Sequence, residues 1–279
     1  MIFYNAEIPS DLISAAIFGR LIIFAGAGVS MQDPVCLPSF NHLVDRIKDA
    51  VDPCGRIRPR RCEESQDRDG KVYTESPEQY LSYLDRETGI VREECCTILS
   101  SEGRTSELHR NLLRLFPEPG SVKIVTTNFD ECFEVALGEI EKNKEKNKEK
   151  NKEKNTKTEK VYSSPALPYG DDFSGLVYLH GSIREPSSMV LLAEDYGKAY
   201  VTKGWASRFL VDLFEKYHVL FIGYGCGDQV HFGAHRGKRL CSLQGWRGFL
   251  RLACSRRYPH LLPGVRGSAA HHRGVGRLP

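Results

Sequence analysis

Four short, mainly apolar runs punctuate the chain, at residues 21–24, 122–126, 176–179 and 219–222. Runs of this length that do not alternate with polar residues are typical of strands buried on both faces of a parallel sheet. Longer stretches between them place apolar residues three or four positions apart, which predicts helices. The pattern therefore predicts an α/β fold with a Rossmann-like, mostly parallel sheet.

The stretch 40–116 is mainly of the helical type and separates the first predicted strand from the second. It is too long for a single crossover helix, so we expect a small helical subdomain inserted there. Ser39 and Pro77 stand where two of its helices would begin. The polar residues 52–75 between these helices predict a surface loop.

Beyond the second strand, the pattern predicts a loop over 161–172, a short strand over 189–192, and helices over 194–201 and 203–216. Residues 141–160 are a low-complexity segment rich in Lys, Glu and Asn, with a four-residue repeat. Such a segment cannot bury apolar surface, so we expect a solvated spacer or a frayed extension of the preceding helix.

All four predicted strands stop at small or polar residues, which read GAGVS, TTNFD, HGS and GYGCGD. The carboxyl ends of parallel strands meet at one edge of a sheet, so these residues predict a glycine-rich, polar cleft. The first turn carries almost no side chain, and its backbone N–H groups could bind a phosphate. An ordinary tight strand-to-helix turn explains this motif alone equally well, because Met31 replaces the third glycine of a dinucleotide fingerprint.

The net charge of +3 is unevenly distributed. Residues 229–279 hold nine Arg, one Lys and no acid, so the first 228 residues carry the balance of −7. An acidic main part argues against a nucleic-acid surface there. After residue 228 the chain becomes rich in Arg, Gly and His and shows no sustained periodicity, so we predict a domain over 1–228 and an atypical basic tail over 229–279 that does not belong to its fold. This tail could bind nucleic acid, or its residues could come from a different reading frame. We prefer the second interpretation.

Neither a basic, apolar leader nor a run of about 18 to 20 apolar residues is present, so no membrane association is expected. The nine cysteines are an odd number with no regular spacing, which predicts reduced thiols and a cytoplasmic location. They include no C-x-x-C pair, which predicts no zinc site.

The motifs GAGVS at 26–30, TTNFD at 126–130, HGS at 180–182 and FIGYG at 221–225 resemble, in this order, those of the sirtuin superfamily. The chain is most similar to the SIR2-like domains of bacterial antiviral defence proteins, several of which hydrolyse NAD. The resemblance covers about residues 15–228. Deacylating sirtuins carry a zinc module of two Cys pairs, and this chain has none.

The resemblance implies NAD as substrate or cosubstrate, with no metal. It implies that His180 is the general base, that Asn128 orients a water or ribose hydroxyl, and that Asp130 stabilises an oxocarbenium-like centre. The implied NAD-binding residues are Gly26, Ala27, Gly28, Ser30, Thr127, Asn128, Asp130, Gly223, Gly225 and Asp228.

The residues with implied catalytic roles could instead have purely structural ones. His180 could be a hydrogen-bonded core histidine, and Asn128 and Asp130 could cap the helix that follows them. The function we favour is hydrolysis of NAD to nicotinamide and ADP-ribose, in a defence or stress response. NAD-dependent protein deacylation and a non-catalytic or truncated, inactive module are the alternatives. A homo-oligomer or a separate sensor partner is compatible with the resemblance.

Overall fold

The computed structural model describes residues 2–3, 6–7, 9–64, 71–151 and 159–224. Gly225, Asp228 and the basic tail 229–279 therefore lie outside the described residues, as does part of the spacer 141–160.

The strands in chain order are β1 Ile2–Phe3, β2 Ala6–Glu7, β3 Leu21–Ala25, β4 Cys62–Glu64, β5 Lys71–Tyr73, β6 Lys123–Thr126, β7 Val161–Ser163, β8 Gly175–Tyr178 and β9 His218–Ile222. The helices are α1 Ser10–Ile17, α2 Phe40–Val51, α3 Pro77–Thr88, α4 Val91–Leu99, α5 Glu107–Arg114, α6 Cys132–Asn151, α7 Ala193–Tyr196 and α8 Trp205–Lys216. A π-helical segment, Gly197–Thr202, links α7 to α8.

Five strands form one sheet in the order β7-β8-β6-β3-β9, and every neighbouring pair is parallel. The predicted α/β fold with a mostly parallel, Rossmann-like sheet is thus confirmed. β3 lies between β6 and β9, and all five of its residues are buried because helices cover both faces of the sheet.

Two local predictions of strand and loop were wrong. Val161–Ser163 forms the edge strand β7 within a stretch predicted to be a loop, and its three residues are only partly buried or exposed. Residues 189–192 form no strand; the Val190 N–H instead donates to the His180 carbonyl at 2.8 Å. The stretch 52–75 includes a short antiparallel hairpin of β4 and β5.

Side chains from the two faces of the sheet form two separate apolar clusters. One face packs against α1, α5 and α6, with Leu113 and Phe133 among the buried contacts. The opposite face packs against α8 and the π-helical segment, with Phe209 and Ala199 among the buried contacts. The sheet is therefore the middle layer of three.

The helices between β3 and β6 divide into two groups. Helices α2, α3 and α4 pack on one another in a third apolar cluster that also takes in Phe129 and Leu191. Phe129 comes shortly after β6, and Leu191 follows Val190, whose N–H donates to the carbonyl of His180 just after β8. This helical group therefore lies beside the carboxyl edge of the sheet. Helix α5 instead packs against α6 and belongs to the layer on the sheet. The boundaries 40–116 of an inserted subdomain remain a prediction.

The Ser39 side chain caps α2 by accepting the His42 N–H, and Pro77 is the first residue of α3. Helix α6 continues into the Lys/Glu/Asn segment as far as Asn151. Among the described residues, no helix combines the length and apolar character needed to cross a membrane.

Candidate functional site

The glycine turn after β3 packs directly on the turn after β9. The Gly26 N–H donates to the Ile222 carbonyl at 3.0 Å, and the Gly28 N–H donates to the Gly223 carbonyl at 2.8 Å. A Cβ atom on Gly28 would lie 2.7 Å from the Gly223 Cα, well inside van der Waals contact. Close packing of two backbones thus accounts for glycine at both positions.

Most backbone donors of this turn are already used within the protein. The Val29 N–H donates to the Gly26 carbonyl at 3.1 Å and the Ser30 N–H to the Ala27 carbonyl at 3.0 Å. Within the described part of the chain, Ala27 is the member of 26–30 whose N–H has no acceptor. Binding of a phosphate by this turn therefore rests on the Ala27 N–H unless the turn rearranges.

The Ser30 hydroxyl is the point at which three chain segments meet. It donates to Asp130 Oδ2 at 2.9 Å, accepts from Asn128 Nδ2 at 3.2 Å, and lies 3.3 Å from Nε2 of His109. All four residues are buried. The structure thus brings together Ser30, Asn128 and Asp130, as the convergence of strand ends predicts.

The local backbone after β6 explains how Asn128 and Asp130 reach this point. The Asn128 N–H donates to the Thr126 Oγ1 at 3.0 Å, and the Thr127 N–H donates to the Ala25 carbonyl at 3.2 Å, which ties the segment to β3. Asp130 Oδ1 accepts the Cys132 N–H at 3.1 Å, at the first residue of α6. Asp130 therefore accepts a backbone N–H at the start of α6 through Oδ1 and accepts the Ser30 hydroxyl proton through Oδ2.

His109, on α5, is a member of the site that the sequence analysis missed. Its ring is fully buried, lies edge-on to Phe133 with ring centroids 4.7 Å apart, and has the Ser106 hydroxyl 2.7 Å from Nδ1. Burial is the main influence on its pKa, which it lowers to about 4, while the Asp130 charge acts in the opposite direction. His109 is therefore neutral at physiological pH. A signal existed, since His109 lies three residues before Leu112 on the inward face of the helix.

His109, Asp130 and Cys132 have potential metal-ligand atoms within 4.8 Å of one another. Burial raises the pKa of the Cys132 thiol, and the nearby Asp130 charge adds to this effect. The thiol is thus held protonated, whereas a metal needs the thiolate. Both ring nitrogens of His109 also already have partners. These residues fit a metal poorly.

His180 follows β8, the neighbour of β6 in the sheet. Its Nε2 lies 2.6 Å from the Tyr200 hydroxyl, on the π-helical segment, and the Tyr196 and Tyr200 rings both meet the imidazole edge-on. Burial lowers the pKa of His180 to about 3, below the near-neutral value expected of a free histidine. His180 is hydrogen-bonded to Tyr200, whereas the Ser30 hydroxyl contacts Asp130, Asn128 and His109. Among the described residues, His180 and Ser30 therefore share no hydrogen-bond partner.

Both predicted interpretations of His180 fit this geometry. The ring is buried and hydrogen-bonded, as in a core histidine, and it also lies at the carboxyl edge of the sheet, which is where open α/β folds generally bind ligands. Neither Tyr196 nor Tyr200 was predicted as a partner. A π-helical turn such as 197–202 often occurs at functional sites, but its apolar spacing looks like that of an α-helix in the sequence.

Part of the chain is similar to a known protein family. Residues 122–235 match the family model of the SIR2-like domain. The matched segment contains Asn128, Asp130, His180 and Gly223 and leaves out β3 with its glycine turn.

A curated relative is the uncharacterized protein y4cA of Sinorhizobium fredii (strain NBRC 101917 / NGR234). It is 27% identical over 235 residues, which cover 80% of this chain. The match spans 18% of the length of that protein, so the chain corresponds to a small part of it.

Proposed function

We propose that this chain binds NAD at the carboxyl edge of its parallel sheet and hydrolyses it to nicotinamide and ADP-ribose. One observation carries the proposal: Asn128 and Asp130 are both hydrogen-bonded to the Ser30 hydroxyl at that edge, where His180 follows the neighbouring strand. The match of residues 122–235 to the SIR2-like domain supports NAD as the ligand. The lack of C-x-x-C pairs favours hydrolysis over deacylation.

The proposed reaction breaks the bond between the nicotinamide nitrogen and C1′ of the ribose, and nicotinamide leaves with the bonding electron pair. A water oxygen forms the new bond to C1′, and one proton is released. A carboxylate near the electron-poor C1′ lowers the barrier electrostatically, which is the role proposed for Asp130. Asn128 is the residue proposed to orient the water or a ribose hydroxyl.

His180 is the proposed proton acceptor. Its lowered pKa keeps the imidazole neutral, so that a nitrogen lone pair is available, although it makes His180 a weak base in this state. The Tyr200 hydroxyl is bonded to Nε2. A proton from the substrate therefore reaches Nε2 through that hydroxyl or after it has moved aside.

The test is nicotinamide release from NAD by the purified full chain, compared with the variants His180→Gln and His42→Gln. A glutamine side chain in place of His180 can still accept a hydrogen bond from Tyr200 but cannot take up the proton, so release falls by about 10²-fold or more. His42 is exposed on α2, so His42→Gln is the matched control and leaves release unchanged.

The other outcomes distinguish the alternatives. NAD-dependent turnover of an acyl-lysine peptide, faster than release of nicotinamide without peptide, would establish a deacylase. Binding of NAD without turnover would indicate a nucleotide-sensing module. Absence of both binding and release would contradict the proposal.

A further inference from the structure

We propose that His109 is a positioning residue, which acts through Ser30 to orient Asn128 and Asp130. Its ring is held in the tautomer with the proton on Nε2. The kinetic part of this inference rests on the proposed function, whereas the tautomer and the side-chain orientation do not.

Counting hydrogens at the Ser30 hydroxyl gives the direction of each bond. A serine hydroxyl has one proton to donate and two lone pairs that accept. Its proton goes to Asp130 Oδ2, at 2.9 Å, and the Asn128 amide group donates to one lone pair, at 3.2 Å. The remaining lone pair faces His109 Nε2, at 3.3 Å, so this nitrogen must carry a proton and donate.

The opposite side of the ring leads to the same tautomer. His109 Nδ1 lies 2.7 Å from the Ser106 hydroxyl and accepts the Ser106 N–H at 3.4 Å. A nitrogen that accepts a backbone N–H carries no proton of its own. A neutral imidazole has one N–H, which is therefore on Nε2. The edge-on contact with Phe133 restricts rotation of the ring.

This arrangement saturates the Ser30 hydroxyl. Its proton and both lone pairs are in use, so it has no capacity left for a phosphate oxygen while the network is intact. The resemblance implies that Ser30 binds NAD, whereas the hydrogen-bond count favours a different role. Ser30 joins α5 to the segment after β6 and holds the Asn128 amide and the Asp130 carboxyl in one orientation.

The first test is the protonation pattern of His109 in the full-length protein, measured from the ¹⁵N chemical shifts of its two ring nitrogens. The proposal requires a protonated Nε2 and an unprotonated Nδ1 at pH 6 to 8. A proton on Nδ1 would overturn it, whatever the enzymatic activity. Metal that co-purifies in a 1:1 ratio and is lost in His109→Leu would also overturn it, in favour of a metal site.

The second test compares His109→Gln with His109→Leu. The Gln side-chain amide can donate to Ser30 from about the place of Nε2, whereas Leu fills the space without a donor. We expect kcat for nicotinamide release to fall by about 10²-fold in the Leu variant, with a much smaller change in KM, and to recover largely in the Gln variant. Both variants must show the circular dichroism of the parent protein.

A readout independent of turnover is the side-chain amide resonance of Asn128. It should shift or broaden in His109→Leu and stay near its parental position in His109→Gln. If the parent protein releases no nicotinamide, the proposed function fails, while the tautomer and this resonance still decide the positioning role. Equal effects of Leu and Gln on the Asn128 resonance would refute that role.

Discussion

The contact between the turns after β3 and β9 allows us to predict how much stability is lost when Gly223 is replaced by alanine. This residue has a left-handed backbone (φ +65°), and a Cβ atom there would lie 2.5 Å from the Val29 nitrogen and 2.8 Å from the Gly28 carbonyl carbon. Gly89, at the end of α3, is also left-handed (φ +73°), but a Cβ atom there meets nothing within 4 Å. An alanine at either position must therefore adopt the same unfavourable left-handed backbone, but its Cβ atom clashes only at position 223.

The magnitude follows from these distances. A left-handed alanine costs about 1 kcal/mol relative to glycine, and this is the full cost expected at Gly89. At Gly223 the clashing atoms are backbone, so the two turns must separate by about 1 Å to reach normal contact. Separation costs about 1–3 kcal/mol in displaced packing, and about 1 kcal/mol more for the lost bond between the Gly28 N–H and the Gly223 carbonyl. The loss in Gly223→Ala should therefore exceed the loss in Gly89→Ala by about 2–4 kcal/mol.

The assay is urea unfolding followed by circular dichroism, with the free energy of unfolding compared between the two variants and the parent. Similar m-values in all three proteins are required for the comparison. Equal losses in the two variants would refute the reasoning, because they would show that the turns separate at no cost.

Three further predictions concern the buried histidines, the Tyr200 hydroxyl and the ion pair between Asp195 and Arg92. Both His109 and His180 have a pKa lowered by burial, to about 4 and about 3, so the unfolded chain binds more protons below pH 6.5. The stability that the neutral rings provide is present above pH 6.5 and is lost as the pH falls toward 4, at about 1.4 kcal/mol per pH unit for each histidine. Unfolding titrations at several pH values measure this slope, which His109→Gln should roughly halve; an unchanged slope would mean that His109 is not the group responsible. Tyr200→Phe leaves the buried Nε2 of His180 without its hydroxyl partner, so the free energy of chemical unfolding should fall by about 1–3 kcal/mol. The control is Tyr217→Phe, because the Tyr217 hydroxyl makes an exposed hydrogen bond to the Asp171 carbonyl. It should lower the free energy of unfolding by less than about 1 kcal/mol. Asp195 accepts the Leu192 N–H at 2.9 Å and forms an ion pair with Arg92, whereas Glu102 is exposed and lies 3.9 Å from Arg104. Asp195→Ala should therefore lower the midpoint of thermal unfolding more than Glu102→Ala does. Equal midpoints of the two variants would contradict this.

The sheet could be predicted from the sequence because its longer strands place apolar side chains in the clusters on both faces of the sheet. The runs at 21–24 and 219–222 are apolar at every position, and runs this short and unbroken have few other uses in an α/β fold. β7 escaped prediction because an edge strand of three half-exposed residues needs no apolar run. The order of the strands was beyond reach, since it depends on contacts between distant segments.

Prediction of the site was limited in the same way. Asn128 and Asp130 follow a strand, so their place at the edge of the sheet could be derived from the sequence. His109 is 79 residues from Ser30 in the chain and shares no motif with it, so only the packing of α5 against α6 reveals their contact. The glycines of the first turn were linked to ligand approach, whereas the structure shows that the backbone of the Gly223 turn occupies the space beside them.

The position of β3 has a consequence for any attempt to trim this protein. β3 is the earliest of the five strands in the chain, yet it separates β6 from β9. A fragment that starts at residue 122 would contain β6 and β9 with no strand to bridge the gap between them, and both would expose unpaired edges. Expression of such a fragment should yield aggregated material, and adding a peptide of residues 20–30 would supply the missing middle of the sheet.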